Sequence, residues 1–326
     1  MKKCKTLAVL FISIFIFCQC DTEQTTEKIS AASVTAGVTS LIKPHDAEAA
    51  SIENGKYLAW HVAGCIDCHS KRDLSKFSAP VVPGTEGMGG ERFGPEFGLP
   101  GNVFAKNITP SAIGDWTDAQ IIRAVTTGIN KNGDTLFPLM PYLSYSRMAE
   151  NDLLDIIKYI RTLKPIENKI QPRQLFIPIA RVIPPVLPKP DLASNVKPET
   201  KDKVKYGEYL LNMGACSDCH TPRVNGAPDF SRPLAGGNSF QTPGFKVTSA
   251  NITPDKEGGI GTWTEKMFVQ KFKVNSSKDF VDRDPGKNNT IMPWSLFGKM
   301  KEDDLKAIYA YLMSVKPQKG KVLPWN

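Results

Sequence analysis

The feature that most constrains this 326-residue chain is a pentapeptide that occurs twice. Residues Cys65–His69 read CIDCH, and residues Cys216–His220 read CSDCH. Two cysteines separated by two residues, with a histidine directly after the second, can all reach one centre. Each copy therefore demands that the surrounding chain fold around whatever that centre is.

The pattern C-x-x-C-H is the attachment signature of c-type haem. In that chemistry Cys65 and Cys68 form thioethers with one haem, and Cys216 and Cys219 form thioethers with the other. His69 and His220 are then the predicted proximal iron ligands. A zinc ribbon is excluded because it separates its C-x-x-C units by roughly 15–20 residues, whereas here they are 151 apart (216 − 65). A thioredoxin-like pair would leave both histidines unexplained.

A longer repeat surrounds the two pentapeptides, and repeats decide architecture. Each copy carries, in the same order, a G-x-Y-L segment, an N-I-T-P segment, an I-G-x-W-T segment, a Met-Pro pair and a Lys-Pro pair. These begin at Gly55, Asn107, Ile113, Met140 and Lys164 in the first copy, and at Gly207, Asn251, Ile260, Met292 and Lys316 in the second. The chain is thus predicted to be a tandem duplication with a full set of parts in each copy.

These segments carry a resemblance to a known family. Each copy resembles a class I cytochrome c, over about residues 51–165 and 204–318. The wider pattern looks like the multihaem cytochrome subunits of membrane alcohol and gluconate dehydrogenases, which carry three haem motifs where this chain has two. The resemblance implies an all-α fold: two tandem class I cytochrome c domains, with long Gly/Pro-rich loops around covalent haems. It also implies that Gly55 and Gly207 pack against an aromatic of the last helix, here Tyr159 and Tyr311.

The predicted organisation has five parts. They are a signal peptide of lipoprotein type (1–20), a flexible tether (21–50), a first cytochrome c domain (51–166), a Pro-rich linker (167–203) and a second cytochrome c domain (204–326). Helices are predicted at about 118–127 and 265–274, each with a threonine N-cap. Periodic apolar residues predict the last helix of each copy. Nothing in either copy alternates long enough to predict a sheet.

The N-terminus is predicted to direct export. Three lysines precede an apolar run, Leu7–Phe17, which is too short to span a bilayer comfortably. Cys18-Gln19-Cys20 follows and resembles a bacterial lipoprotein cleavage site, with Cys20 favoured over Cys18 as the lipid-bearing residue and an ordinary secretory signal as the alternative. The remaining four of the seven cysteines belong to the two haem motifs, so no disulfide framework is predicted. Export to the bacterial cell envelope or periplasm is also implied by the resemblance, because bacteria attach c-type haem outside the cytoplasm.

Methionine is the predicted sixth ligand of each iron. Met140 and Met292 each precede a proline in a loop, and each lies at a matching distance after its histidine, 71 and 72 residues (140 − 69 and 292 − 220). His61 is a poor candidate, because it precedes its own motif closely and Met213 takes its place in the second copy. Asn107, Asn251, Trp116 and Trp263 are predicted either to contact the haem propionates or to shape the loops.

Charge and ligation together favour electron transfer. The formal net charge is +8, but no basic tract with interleaved aromatics indicates nucleic-acid binding. A soft thioether opposite an imidazole raises the reduction potential and leaves no open position on iron. The chain is therefore predicted to be an electron carrier or an electron-transfer subunit, not an enzyme. It would pass electrons from a respiratory dehydrogenase or quinol-oxidising donor to a downstream cytochrome or oxidase. The alternative is a dihaem peroxidase-like enzyme, which needs one displaceable axial ligand.

Overall fold

The computed structural model describes residues 50–184, 186–224, 226–242 and 244–325. The predicted signal peptide, Cys18, Cys20 and the tether up to residue 49 lie outside the described residues. Within the described ranges, no helix is both long enough and apolar enough to cross a membrane.

The helices of the first half are short, except for two. They are α1 Ile52–Tyr57, a π-helical turn Leu58–Val62, α2 Cys65–Cys68, α3 Pro110–Ile113, α4 Asp118–Thr127, α5 Tyr142–Tyr145 and α6 Glu150–Ile160, with a 3₁₀ turn at Pro95–Phe97. Those of the linker and second half are a 3₁₀ turn Ile179–Arg181, α7 Lys203–Met213, α8 Cys216–His220, α9 Glu265–Asn275, α10 Lys278–Val281, a 3₁₀ turn Gly286–Asn288, α11 Trp294–Phe297 and α12 Glu302–Ser314.

Helices α4 and α9 begin where the sequence predicts. The side chain of Thr117 accepts a hydrogen bond from the backbone amide of Gln120. In turn, the side-chain oxygen of Gln120 accepts a hydrogen bond from the backbone amide of Thr117. This reciprocal capping box satisfies two amides that a helix start leaves without intrahelical partners. Thr264 caps α9 through the Met267 amide. The described bounds agree with the predicted ones to within one residue.

Two glycines let the first and last helices of each half touch backbone to backbone. A Cβ built on Gly55 would lie 1.8 Å from the carbonyl oxygen of Asp155, and one built on Gly207 would lie 1.9 Å from that of Ala307. No other residue permits so close an approach. The predicted close packing is present, but the nearest atoms belong to the backbone of α6 and α12 and not to the rings of Tyr159 and Tyr311.

The expected all-α fold is wrong, because the described residues contain seven short strands in three antiparallel sheets. The strands are β1 Arg92–Phe93, β2 Gly101–Phe104, β3 Gln174–Leu175, β4 Arg223–Val224, β5 Ala227–Pro228, β6 Ser239–Thr242 and β7 Phe245–Thr248. All of them lie outside the helical segments, and most lie in the Gly/Pro-rich loops. A strand of two to four residues satisfies its backbone polar groups by pairing, yet it is too short to show an alternating pattern.

The linker is packed against the first half. Leu175 on β3 pairs with Gly101 on β2, so the linker extends the β1–β2 ribbon by one strand. Further along, Leu192 is buried, and the side-chain amide of Asn195 donates to the carbonyls of Ser146 and Met148. These contacts hold a proline-rich connection in place.

The two halves exchange matching hydrogen bonds across their interface. The hydroxyl of Tyr57 in the first half donates to Asp304 Oδ2 in the second at 2.5 Å, and the hydroxyl of Tyr209 in the second donates to Asp152 Oδ2 in the first at 2.6 Å. The two tyrosines are 152 residues apart in the sequence (209 − 57), and so are the two aspartates (304 − 152). Such a reciprocal contact is the pattern that a two-fold axis produces.

Each of the two tyrosine oxygens also accepts a backbone amide near the start of the opposite last helix. The Lys301 amide donates to Tyr57 at 3.0 Å, and the Ala149 amide donates to Tyr209 at 3.1 Å. Around these polar bonds, a single cluster of buried apolar side chains includes residues of both halves, from Leu58 to Leu312. The halves therefore form one packed unit.

Candidate functional site

Each pentapeptide sits on a short helix that a left-handed residue introduces. Gly64 precedes Cys65 with φ of 67°, and Ala215 precedes Cys216 with φ of 50°. In the first half, the chain between Tyr57 and Cys65 is one residue longer than that between Tyr209 and Cys216 (65 − 57 against 216 − 209). The π-helical turn Leu58–Val62 absorbs this residue, as a one-residue insertion in a helix commonly does.

The two histidines are oriented in the same way. His69 Nδ1 lies 2.6 Å from the carbonyl oxygen of Lys106, and His220 Nδ1 lies 2.7 Å from that of Ala250. Such a bond favours the tautomer with the proton on Nδ1 and leaves the lone pair of Nε2 available for a metal. Burial lowers the pKa of both imidazoles, so both are held in the neutral form that binds a metal.

The second cysteine of each motif is exposed, although dense protein surrounds it. Burial, with smaller contributions from Asp67 and Cys219 among others, raises the pKa of the Cys68 thiol to about 12. Burial raises the pKa of Cys219 to about 11. Cys65 and Cys216 are half-buried and pack against the apolar core.

The aspartate inside each motif has a different environment in the two halves. Asp67 Oδ2 lies 3.7 Å from Arg72, which also pairs with Glu91 at 3.3 Å. Burial raises the pKa of Asp67, and Arg72 opposes that rise. In the second half burial raises the pKa of Asp218 to about 6, and Arg223 opposes the rise. Among the described ion pairs, a buried cation, Arg72, lies beside the aspartate of the first motif, and no buried cation pairs with the aspartate of the second.

Met140 and Met292 are placed alike, each half-buried and one residue before a proline that caps a short helix. The Met140 carbonyl accepts from the Tyr142 amide at 2.8 Å, and the Met292 carbonyl accepts from the Trp294 amide at 2.7 Å. Each methionine therefore ends a loop at a tight turn, and Met140 also packs against the core that Cys65 and Cys216 contact.

The repeated asparagines shape loops. Asn107 accepts from the Thr109 amide and hydroxyl while it donates to the Ile166 carbonyl, and Asn251 bonds to Thr253 and the Gln318 carbonyl in the same way. Both side chains tie the N-I-T-P segment to the chain that follows the last helix. Of the two open interpretations for these asparagines, the loop role accounts for their hydrogen bonds.

The two motifs come close together at the interface between the halves. A Cβ on Gly214 would lie 3.5 Å from the carbonyl oxygen of Val62, and both residues stand just before their cysteines. The buried hydroxyl of Tyr145 donates to the Ala63 carbonyl at 2.6 Å. Burial raises the pKa of Tyr145 well above its usual range, with smaller contributions from the charges of Cys65 and Asp218 among others. Sequence reasoning missed this tyrosine, whose counterpart in the second half is Phe297.

The donor set fits a covalently attached haem at each motif. Each motif offers two thiols and one neutral imidazole whose Nε2 is available to bind a metal, and each half holds one loop methionine. Soft sulfur and imidazole donors suit iron in a haem.

Comparison with known proteins identifies the family. A family model described as Cytochrome c matches residues 204–316. The chain is similar to a diheme cytochrome c-type protein of Cereibacter sphaeroides, with 30% identity over 275 residues, which cover 80% of this chain and 84% of that protein. Since the family match lies in the second half, the expected pair of tandem class I domains is not supported for the first half.

Two further similarities are to subunits of dehydrogenases. The cytochrome c subunit of the alcohol dehydrogenase (quinone) of Gluconacetobacter polyoxogenes is 28% identical over 305 residues, covering 88% of this chain and 60% of that protein. The cytochrome subunit of the fructose dehydrogenase of Gluconobacter japonicus is 30% identical over 288 residues, covering 83% and 54%. The chain thus spans little more than half the length of these curated relatives.

Proposed function

Because this chain belongs to the cytochrome c family, we propose that it is a dihaem electron carrier or the electron-transfer subunit of an oxidoreductase complex. The observation that carries this proposal is that the residues leading into the two C-x-x-C-H motifs lie side by side: a Cβ on Gly214, two residues before Cys216, would lie 3.5 Å from the carbonyl oxygen of Val62, three residues before Cys65. Two haems so attached would stand near one another, and electron transfer depends steeply on that separation.

The residues have distinct roles in this proposal. Cys65 and Cys68 hold the first haem and Cys216 and Cys219 hold the second. His69 and His220 are the proximal ligands, each oriented by the carbonyl that its Nδ1 contacts. Met140 and Met292 are the sixth ligands. Haem c supplies a one-electron couple; the protein supplies ligation, burial and spacing.

The ligand set explains why the proposal is transfer and not catalysis on iron. A neutral thioether favours the reduced metal, so both potentials would be high for haem c. With one histidine and one methionine holding each iron, no position would remain for a substrate. A peroxidase-like enzyme would require one of these ligands to be displaceable at rest.

Names of the relatives point to a class of partner. Two of them are subunits of sugar- or alcohol-oxidising dehydrogenases, so we propose a dehydrogenase or quinol-oxidising protein as donor and another cytochrome or an oxidase as acceptor. A mildly basic surface would steer acidic partners towards the molecule. The N-terminal sequence supports export to the bacterial envelope or periplasm, and a lipid on Cys20 would keep the carrier at the membrane.

A haem count with ligand variants tests the assignment. A pyridine haemochrome assay should give two c-type haems per chain. Ferric wild-type protein should show the weak far-red absorption of methionine-ligated haem, and Met140→Ala and Met292→Ala should each remove about half of it, since each removes one of two ligands. Met267→Ala is the matched control, because Met267 is exposed on α9.

Two results would contradict the proposal. One is a wild-type protein with no covalent haem. The other is a resting ferrous protein that binds carbon monoxide rapidly and stoichiometrically at one haem, which would favour the peroxidase-like alternative.

A further inference from the structure

A loop of the first half is inserted into the second half beside Met292. We call residues 73–79 the clamp loop and residues 289–295 the Met292 loop. Phe77, Ser78 and Ala79 of the clamp loop are all buried. Ser78 and Ala79 have φ of 65° and 44°, and a left-handed backbone is strained in a non-glycine residue. Surrounding contacts must hold such a conformation in place.

Asn289 provides the first of these contacts. Its side-chain amide donates to the carbonyls of Leu74 and Lys76 at 3.0 and 3.1 Å, and its Oδ1 accepts from the Ser78 amide at 3.0 Å. The residue is only 1% exposed. One side chain of the second half thus fixes the backbone of the clamp loop at three points.

Ser78 forms a hydrogen bond directly with the backbone of Met292. Its hydroxyl donates to the Met292 carbonyl at 2.8 Å and accepts from the Ser295 amide at 3.3 Å. Ser78 thereby joins the start and the end of the tight turn that carries Met292. The Met292 carbonyl accepts this bond in addition to the one from Trp294 within its own loop.

Side chains next to Ser78 secure the same insertion. The ring of Phe77 packs edge-on against Phe280 with centroids 4.9 Å apart, and the guanidinium of Arg283 lies over both rings. Lys76 pairs with Asp282 at 3.1 Å, although this exposed pair adds little. The clamp loop is therefore attached to the second half through the buried ring of Phe77 as well as through Ser78.

We propose that Ser78 and Asn289 are positioning residues for Met292, so that the first half of the chain controls the axial ligation of the second haem. This inference rests on the proposed function, because it takes Met292 as the sixth ligand. Loss of the Ser78 hydroxyl frees the Met292 turn, and the thioether leaves the iron more often. A hydrogen bond of ordinary net strength corresponds to roughly a two- to tenfold change in that equilibrium.

Carbon monoxide binding to the reduced holoprotein measures this directly, because the gas binds only after the methionine leaves. In Ser78→Ala, one of the two haem phases should bind carbon monoxide roughly two- to tenfold faster, and the phase of the Met140 haem should be unchanged. Ser75→Ala is the matched control. It likewise removes a serine hydroxyl from the clamp loop, but Ser75 is exposed and its hydroxyl donates to Asp73 of the same loop.

Asn289→Asp is a second variant that retains the acceptor for Ser78 and removes the donors to Leu74 and Lys76. It should accelerate the same phase. Equal phases in wild type, Ser75→Ala and Ser78→Ala would overturn the clamp while leaving methionine ligation intact. A wild-type ferric protein without the far-red methionine absorption would instead overturn both the proposed function and this inference.

Discussion

At the scale of single residues, the close packing of the helices depends on two positions that have no side chain. Gly55 and Gly207 have no Cβ where a helix carbonyl occupies the space. A helix backbone cannot move away from an added Cβ as the end of a flexible side chain can. These two positions therefore set how closely the first and last helices of each half approach.

Gly55→Ala should destabilise the protein by about 3 kcal/mol or more, because overpacking against rigid backbone is expensive. Urea unfolding measures the change. Gly84→Ala is the control: Gly84 has φ of 83° and open space around its Cβ direction, so it should lose only the roughly 1–2 kcal/mol of a left-handed backbone. Equal losses in the two variants would show that the close helix contact has no special role.

At the scale of elements, the interface is built by first helices that reach the last helices of the opposite half. Tyr57 on α1 contacts Asp304 on α12, and Tyr209 on α7 contacts Asp152 on α6. Both carboxylates are buried, so each needs its donor. The repeated G-x-Y-L segment thus serves two purposes, since its glycine packs within one half and its tyrosine bonds to the other.

Tyr209→Phe should lower the free energy of unfolding by about 1–3 kcal/mol, because it removes the hydroxyl that donates to the buried Asp152 Oδ2 and accepts from the Ala149 amide. Tyr57→Phe should have a similar effect for the reciprocal reason. Tyr311→Phe is the control, since the Tyr311 hydroxyl forms no hydrogen bond within the described ranges. Denaturant titration checks the series, and an unchanged midpoint in Tyr209→Phe would contradict the proposed contribution.

At the scale of the whole molecule, acid should loosen the interface through His61. Its pKa is lowered to about 4, first by burial and then by the charge of Lys299, with Lys56 and Lys273 adding to the effect and the Leu296 backbone opposing it. Lys299, Lys273 and Leu296 belong to the second half. A proton on this ring therefore places a charge between the two halves.

The direction of the pH effect follows from proton counts. Between about pH 4 and pH 6.5 the unfolded chain carries more protons on His61 than the folded one, so stability falls as pH falls through this window. His61→Met, which copies Met213 of the second half, should make the loss between pH 7 and pH 4 smaller than in wild type. Urea unfolding at several pH values tests this, and parallel curves for the two proteins would contradict it.

Features that depend on residues close together in the sequence could be predicted from the sequence alone. The two haem motifs and the threonine starts of α4 and α9 could be predicted because each depends on residues at most a few positions apart. Strands such as β6 and β7 were missed, since four residues cannot show a period, although Pro243-Gly244 is a turn signal in the sequence. The bond from Ser78 to Met292 spans 214 residues, and no local pattern indicates it.

The π-helical turn at Leu58–Val62 makes the segment before the first pentapeptide different from the segment before the second, which is a regular α-helix. In a regular helix one additional residue would rotate all that follows by about 100°, and the wider turn confines that rotation to a few residues upstream of Cys65. The pentapeptides can thus remain nearly alike while the seam between them carries His61 on one side and Met213 on the other. The surroundings of the two pentapeptides can therefore come to differ through substitutions at positions such as His61 and Met213, while the pentapeptides themselves stay the same.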